Sequence, residues 1–500
     1  MSPIIDTGQT TWENRHETYV QQLRHVLQAV NQAGADPLRR YNAMTGDLQR
    51  LIGRALQEKT RLRAFGSGWS FSGAPATDGL LLDTSPLNLW FRMRGQALHP
   101  EFRGPSDGVY FLQCGNSVAG LNRNLRPERR SLRTTGASNG QTIAGAMSTG
   151  THGSAIDIGA VQDYVVGIHL VTSPGTHLWL ERESYPVSAD GFAGVLGAQL
   201  RRSDELFNAA LVGFGALGLI HGVMIETEPI FLFAVHRERR AVDPALRRAI
   251  TMLDFNGSGL PGGDERPRHF EVLFNPYDLD GGVYVTTMYR RPFRPDHQPP
   301  APGDVAPGDN ALQFIGTFTD TVPPLIPAAV NALLGQKYKL TDDPIEGDTG
   351  EIFSTTTTRG TAAGTAIGVP IERALDAVDL ILATNRDHGP FPCIVALRFV
   401  PRTAALLGFT RFERTCIIDV DGPLSNRTRS FYSRIWQALA TSDIPYTMHW
   451  GKIMGLSAGE VRRLYGDNVR RWVDVRQQLL TPGLRQVFSN RFLEELDLAQ

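Results

Sequence analysis

RAFGSGWSF, residues 63–71, ends a short apolar run with Gly66 and Gly68 and sets a tryptophan, Trp69, directly after the second glycine. Glycines this close let the backbone approach a phosphate-like group, because no Cβ stands in the way. No simple turn requires an indole, so Trp69 asks for a reason of its own. Two further clusters share the glycine-rich texture. TTGASNGQTIAGAMSTGTHGS (134–154) alternates Gly136, Gly140, Gly145, Gly150 and Gly153 with Ser, Thr and Asn, and GFGALGLIHGV occupies 213–223. Each alone is a weak signal. Together they supply free backbone N–H groups and small hydroxyls, which suit a pyrophosphate without a lysine clamp.

Other site classes find less support. No G-x-x-x-x-G-K-[ST] is present, which disfavours a P-loop NTPase. GFGALG spells G-x-G-x-x-G, yet the following LIHGVMIETEP reads as a strand where a nicotinamide site needs a helix. GASNG (136–140) fits G-x-S-x-G, but a nucleophile elbow needs an apolar strand before it, and RRSLRTT is too polar. The 12 histidines show no H-x-x-x-H or H-E-x-x-H pairing, so no metal site is expected. Cys114, Cys393 and Cys416 are too few and scattered for a disulfide framework or a zinc site. They read as buried small hydrophobes, and a cytoplasmic location fits them best.

A chain of 500 residues exceeds one ordinary core and implies two or more domains. With 41% hydrophobic and 20% charged residues, its composition is globular. The 50 basic and 51 acidic side chains leave a net charge of −1, which gives no pull towards nucleic acid or an anionic membrane. No run of about 18 apolar residues offers a membrane span, and the N-terminus lacks the pattern of a secretory signal.

Along the chain, Tyr19, Leu23, Val26, Leu27 and Val30 predict a helix within 17–60, and 48–56 a second. From 61 to about 223, strand-like LRAF, GLLLD, GVYFLQCG and VVGIHLV alternate with glycine-rich turns. RRPFRPDHQPPAPGDVAPGD (290–309) reads as an exposed proline-rich loop, and PPLIPAAVNALLG as a short apolar helix. PIERALDAVDLILAT (370–384) predicts a helix with Ile371, Leu375, Val378 and Leu382 on one face. CIVALRFV (393–400) and RTCIIDV (414–420) read as adjacent strands, followed by a helix near 429–440.

In GSGWSF, GASNGQTIAGAMSTGTHGS, GFGALGLIHGVMIETEP, HWGK (449–452) and FSNRFLEEL, taken in that order, the chain resembles the PCMH-type FAD-binding oxidoreductases of the vanillyl-alcohol oxidase type, in the sugar-lactone and alditol oxidase branch. The likeness spans about 60–500 and is loosest in the middle third. It implies an α+β fold: a two-lobed FAD-binding domain (1–230, with the PCMH-type core from about 45) and a cap or substrate domain with an antiparallel sheet flanked by helices (231–425). A C-terminal segment (426–500) would return to the FAD domain. By the same resemblance Gly66, Ser67, Gly68 and Ser70 would hold pyrophosphate. Gly136, Ser138, Gly140, Thr142, Gly145, Ser148, Gly150 and Thr151 would line the flavin and its chain, and Gly215, Gly218 and Ile220 the adenosine side. Many relatives carry, after the second glycine, a histidine covalently attached to the flavin. Trp69 stands there instead, and an indole has no ring-nitrogen lone pair to form that bond. Non-covalent FAD is therefore expected, with Trp69 as an aromatic wall at the dimethylbenzene edge.

For chemistry, the resemblance puts Lys452 and His449 of HWGK beside flavin and substrate; apart from it they read as a surface lysine and a packed histidine. Arg398 resembles the arginine of the branch's Glu-x-Arg pair, with an ordinary ion-paired strand residue as the other reading. The Glu position is Ala396. Losing that acceptor leaves a substrate hydroxyl unpaired, at a cost of about 1–3 kcal/mol, and implies a substrate less polar than a sugar alcohol. Ser138 aligns with a substrate-facing serine, and Ala137 with a position that influences oxygen access. Glu413, with Arg414, stands where it could replace the lost partner, although salt bridging is the simpler role. His152 reads as a hydrogen-bonding loop residue. The expectation is an FAD-dependent oxidase that takes hydride from a CH–OH group of a small molecule, with oxygen as acceptor and peroxide as product. The alternatives are a flavin dehydrogenase or tailoring enzyme for a bulky metabolite, and a non-catalytic FAD-binding protein.

Overall fold

The structure is a computed structural model and describes residues 3–300, 322–354 and 362–500. Three sheets organise it. The first has four strands in the order Ile4–Asp6, His25–Ala29, Leu80–Asp83, Leu62–Phe65, the last two pairings parallel. The helix Pro37–Gln57 packs on it, burying Met44, Leu48, Leu51 and Ile52. Asp36 caps that helix by accepting from the backbone N–H groups of Leu38 and Arg39, and Pro37 fills the first turn, where no N–H is needed.

The second sheet runs from Gln199–Arg202 through His177–Glu181, Val165–Val171, Leu219–Pro229 and Val109–Gln113 to Trp90–Arg92, with Arg130–Leu132 pairing on Leu219–Pro229. Val165–Val171 is buried along its whole length, as expected of a strand covered on both faces. LIHGVMIETEP thus forms the strand read from its sequence, and no helix follows GFGALG.

The third sheet has eight strands, every pairing antiparallel: Ile345–Gly347, Phe231–Arg240, Val283–Pro292, His269–Phe274, Ile394–Pro401, Arg414–Pro423, Ala362–Pro370 and Thr447–Met448. Helices Pro244–Met252, Ala374–His388 and Asn426–Thr441 cover one face through Ile250, Val378, Ile381, Phe431 and Ile435. The later C-terminal helices turn back to the first part of the chain: Trp472 packs into the second sheet's core and Leu484 and Phe488 into the first's. The fold is α+β, as expected.

Two local expectations are corrected. Residues 17–30 form the strands Val20–Gln22 and His25–Ala29, not a helix. Val26 and Leu27 are buried on opposite faces of an extended chain, which parallel pairing with Leu80–Asp83 holds in place. The helix expected from Pro370 starts at Ala374 after a 3-10 turn, because Pro370 is the last residue of the strand Ala362–Pro370. PPLIPAAVNALLG does form a helix, Ile326–Lys337, entered by a 3-10 turn. Of the proline-rich stretch, 290–292 end a strand, and 301–309 lie outside the described residues.

Candidate active site

The three glycine-rich loops, about 150 residues apart at their extremes, line one cavity of about 430 Å³. Arg398, Asp419, Asp421, His449 and Lys452 line the same cavity. GSGWS follows the strand Leu62–Phe65, and its conformation is tightly held. A Cβ on Gly66 would overlap Thr142, and Gly68 has φ +68°, a region that a side chain resists. Thr142 in turn caps the short helix Ile143–Thr149. Gly215 and Gly218 also have positive φ, +72° and +138°.

Arg63, 1% exposed, explains how distant segments meet here. Its guanidinium donates to the carbonyls of Ala74, Phe214, Gly215 and Phe488. Burial lowers its pKa to about 9. The C-terminal FSNRF contributes Asn490, whose amide donates to the carbonyls of Ala74 and Ala76 at 3.0 and 2.8 Å. HWGK is fixed on GSGWSF in the same way. Phe71 N–H donates to Gly451 O at 2.8 Å, Ser72 Oγ to Trp450 O at 2.6 Å, and Lys452 Nζ lies 5.2 Å from the Phe71 ring centre.

The charged wall is a linked network. Arg398 donates through Nε to Glu271 Oε2 at 2.8 Å and through Nη1 to Asp419 Oδ2 at 2.7 Å. Tyr338 donates to the other Glu271 oxygen at 3.1 Å. Lys452 Nζ donates to Asp421 Oδ1 at 3.0 Å and lies 3.8 Å from Asp419 Oδ1. Burial pushes the Asp419 carboxyl up, but Arg398 and Lys452 outweigh it and hold its pKa below the usual range. Burial pulls Lys452 and Arg398 down, and their carboxylate partners reverse this, so both stay charged. Burial takes His449 well below its ordinary value and His152 to about 4, so both are neutral near pH 7. His449 Nδ1 accepts from the Gly451 N–H at 2.9 Å, which assigns its proton to Nε2.

Most of the residues singled out from the sequence face this cavity: Gly66, Ser67, Gly68, Trp69, Ser70, Gly136, Ala137, Ser138, Thr142, Gly145, Ser148, Thr151, His152, Gly215, Gly218, Ile220, Arg398, His449 and Lys452. Four do not. Gly140 lies behind Trp69, whose indole fills the space its Cβ would need. Gly150 ends the Ile143–Thr149 helix in the left-handed conformation, beside Phe409. Ala396 packs beneath the Ile326–Lys337 helix with Leu273, Ile326, Val330 and Leu334. Glu413 is exposed just before its strand, while Arg414 pairs with Asp157 at 3.2 Å.

Sequence reasoning missed Asp419, Asp421, Glu271 and His16. Asp419 and Ala396 are direct cross-strand partners, so the carboxylate absent at 396 is present on the neighbouring strand. An Asp amid the apolar RTCIIDV was the available signal, since a carboxylate in a buried strand is rare unless it has a task. His16 stacks on Phe71 with ring centres 4.2 Å apart and meets Trp69 edge-on at 5.3 Å. Arg15 covers the Trp69 ring at 4.9 Å.

The cavity fits an extended dinucleotide. Glycine backbones from three loops are bared along it, and the buried Trp69 Nε1 and both His16 ring nitrogens lack hydrogen-bond partners. Among the described residues no His/Cys/Asp/Glu group is placed to hold a metal ion, and no helix is long and apolar enough to cross a membrane. The three cysteines are buried and unpaired.

Residues 42–181 match the FAD binding domain family. L-gulono-1,4-lactone dehydrogenase of Mycobacterium tuberculosis is 26% identical over 427 residues, 84% of this chain and 87% of that protein. A long-chain alcohol oxidase of an uncultured marine euryarchaeote is 31% identical over 188 residues, 37% of this chain and 33% of that one. The cholesterol oxidase of Brevibacterium sterolicum (a His121Ala mutant) superposes with a TM-score of 0.69 over 99% of this chain and 97% of that chain, at 14% identity, which speaks to fold alone. The class is thereby set: this is an FAD-binding oxidoreductase. Residues 42–181 thus form an FAD-binding domain of the PCMH type, and the proteins the chain resembles include sugar-lactone oxidases and dehydrogenases and an alcohol oxidase.

Proposed function

We propose that the protein oxidises a CH–OH group of a small molecule, with oxygen as the final acceptor. The observation that carries this reading is one cavity lined both by the glycine-rich loops and by the Arg398–Asp419–Lys452 network. Bound FAD supplies the hydride acceptor. The loops at 66–70, 136–151 and 215–220 hold it without a covalent bond, Trp69 forming an aromatic wall. Lys452 and Arg398 orient and polarise the substrate oxygen, and buried cations are strong in that role because water does not screen them. His449, neutral and fixed by Gly451 N–H, offers its Nε2 proton as a further donor. Ser138 contributes a hydroxyl on the substrate side.

In this reading 1–230 is the FAD domain, 231–425 the cap and 426–500 the returning segment, whose first helix still packs on the cap sheet. The reducing cytoplasm is its site of action. Oxygen and a dye are the two acceptors to compare. Peroxide formed in step with product in air supports an oxidase. Rapid dye reduction without peroxide supports a dehydrogenase, a reading favoured by the name of the relative that aligns over most of the chain.

A further inference from the structure

Oxidation of a CH–OH group sets free a hydroxyl proton as well as a hydride, and the groups that orient the substrate oxygen cannot take it. Arg398 and Lys452 are charged donors. His449 already carries a proton on Nε2, because its Nδ1 accepts from the Gly451 N–H. His152 turns Nδ1 to the carbonyl of Gly153 at 3.1 Å. A second proton would make it a cation, which burial opposes and the nearby charges of Arg398 and Lys452 oppose further. Asp419 gives Oδ2 to Arg398 at 2.7 Å, and its Oδ1 is shut off from the cavity, as are both ring nitrogens of His16.

Asp421 differs from all of these. It lines the cavity and its side chain is 38% exposed, so a proton that reaches it can pass on to water. Lys452 Nζ donates to its Oδ1 at 3.0 Å. The N–H bonds of an ammonium diverge tetrahedrally, so a substrate hydroxyl accepting from the same Nζ lies about 5 Å or less from the carboxylate, within reach directly or through one water. The sheet leaves room for this pair. Gly364 is the cross-strand partner of Asp421, and a Cβ there would overlap both Asp421 Oδ1 and Lys452 Nζ.

Deepening the proposed function and resting on it, we propose that the Asp421 carboxylate is the general base that receives the substrate's hydroxyl proton. The carbinol carbon gives up its hydrogen with an electron pair to the flavin. The electron pair of the O–H bond becomes the second carbon–oxygen bond, and the proton passes to Asp421 and on to water. Lys452 keeps its charge throughout and holds the oxygen beside the base.

Alcohols that cannot react test this apart from turnover. tert-Butanol, trifluoro-tert-butanol and hexafluoro-tert-butanol lack a carbinol hydrogen, are of similar size and rise in O–H acidity. Their dissociation constants can be read from the flavin absorbance of FAD-loaded protein. A base that receives the proton binds the more acidic hydroxyl more tightly, whereas the donors Arg398 and Lys452 favour the more basic oxygen. Wild type should tighten roughly 10-fold or more along the series, as a hydrogen bond to a charged acceptor strengthens. Asp421→Asn should keep FAD, flatten the series to within a few-fold, and slow flavin reduction by hexan-1-ol about 10²- to 10⁴-fold, the worth of a positioned base. Equal affinities along the series in wild type overturn the assignment, whether or not the variant folds. So does an undiminished trend, or an unchanged rate of reduction, in Asp421→Asn. Wild type that shows the trend yet is reduced by no primary alcohol would fault the proposed reaction and not the hold of Asp421 on the hydroxyl proton.

Discussion

The Trp69 indole occupies the space that a Cβ on Gly140 would need. The tryptophan of the first glycine loop is thus seated on the backbone of the second, and Arg15 and His16, in the hairpin formed by the strands Thr11–Glu13 and Val20–Gln22, close over it. Gly140→Ala must push Trp69 out or shift the 136–142 loop. We expect a loss of about 1–3 kcal/mol of stability, the usual cost of overpacking, together with weaker FAD binding. Denaturant unfolding and FAD titration of the variant check both.

The Trp69 indole has no ring-nitrogen lone pair with which to tether a flavin. Acid precipitation of FAD-loaded protein should leave a colourless pellet and release flavin into the supernatant. A yellow pellet would require a tether through another side chain.

Lys452→Met removes the cation that faces Asp419 and Asp421 while keeping an unbranched side chain against Phe71. FAD should remain bound, and kcat/KM for the alcohol should fall by about 10²–10³, the scale of losing one preorganised electrostatic partner. Steady-state kinetics beside the flavin spectrum give the answer. Unchanged turnover would remove Lys452 from the reaction.

Acid should destabilise the protein steeply. Burial, first of all, depresses His16, His221 and His269 to about 3 and His152 to about 4. Unfolded histidines protonate near pH 6.5. Between those values the unfolded state binds more protons than the native one, so stability rises with pH. On acidification the loss begins near pH 6.5 and deepens towards pH 4, by up to about 1.4 kcal/mol per pH unit for each histidine. Lowered Asp419 acts in the same direction at lower pH: its contribution is present above its unfolded pKa and is lost as pH falls through the folded value. Urea unfolding from pH 7 to pH 4.5 should show a slope of more than one proton.

The glycine-loop lining of the cavity was legible in the sequence because such loops are local: the glycines, their small polar neighbours and the cap at Thr142 are contiguous. The charged lining was only partly so. Arg398 and Lys452 could be read from short motifs, but Asp419 acquires its meaning from strand register. Only the pairing of Ile394–Pro401 with Arg414–Pro423 sets it opposite Ala396 and beside Arg398. Glu271 reaches the same arginine from a third strand more than 120 residues away. The early strands were misread because Val26, Leu27 and Val30 satisfy helical spacing, and only a parallel partner at 80–83 makes an extended chain the better burial. His16 belongs to a hairpin whose place over Trp69 no nearby residue announces.

Hydride transfer from a carbinol carbon is the central claim, and anaerobic mixing of FAD-loaded protein with a protiated or α-deuterated alcohol tests it most directly. The account predicts bleaching of the visible flavin absorbance, slower with deuterium on the oxidised carbon. Protein that takes up no FAD, or flavin that stays oxidised with every neutral alcohol and lactone offered, would contradict it.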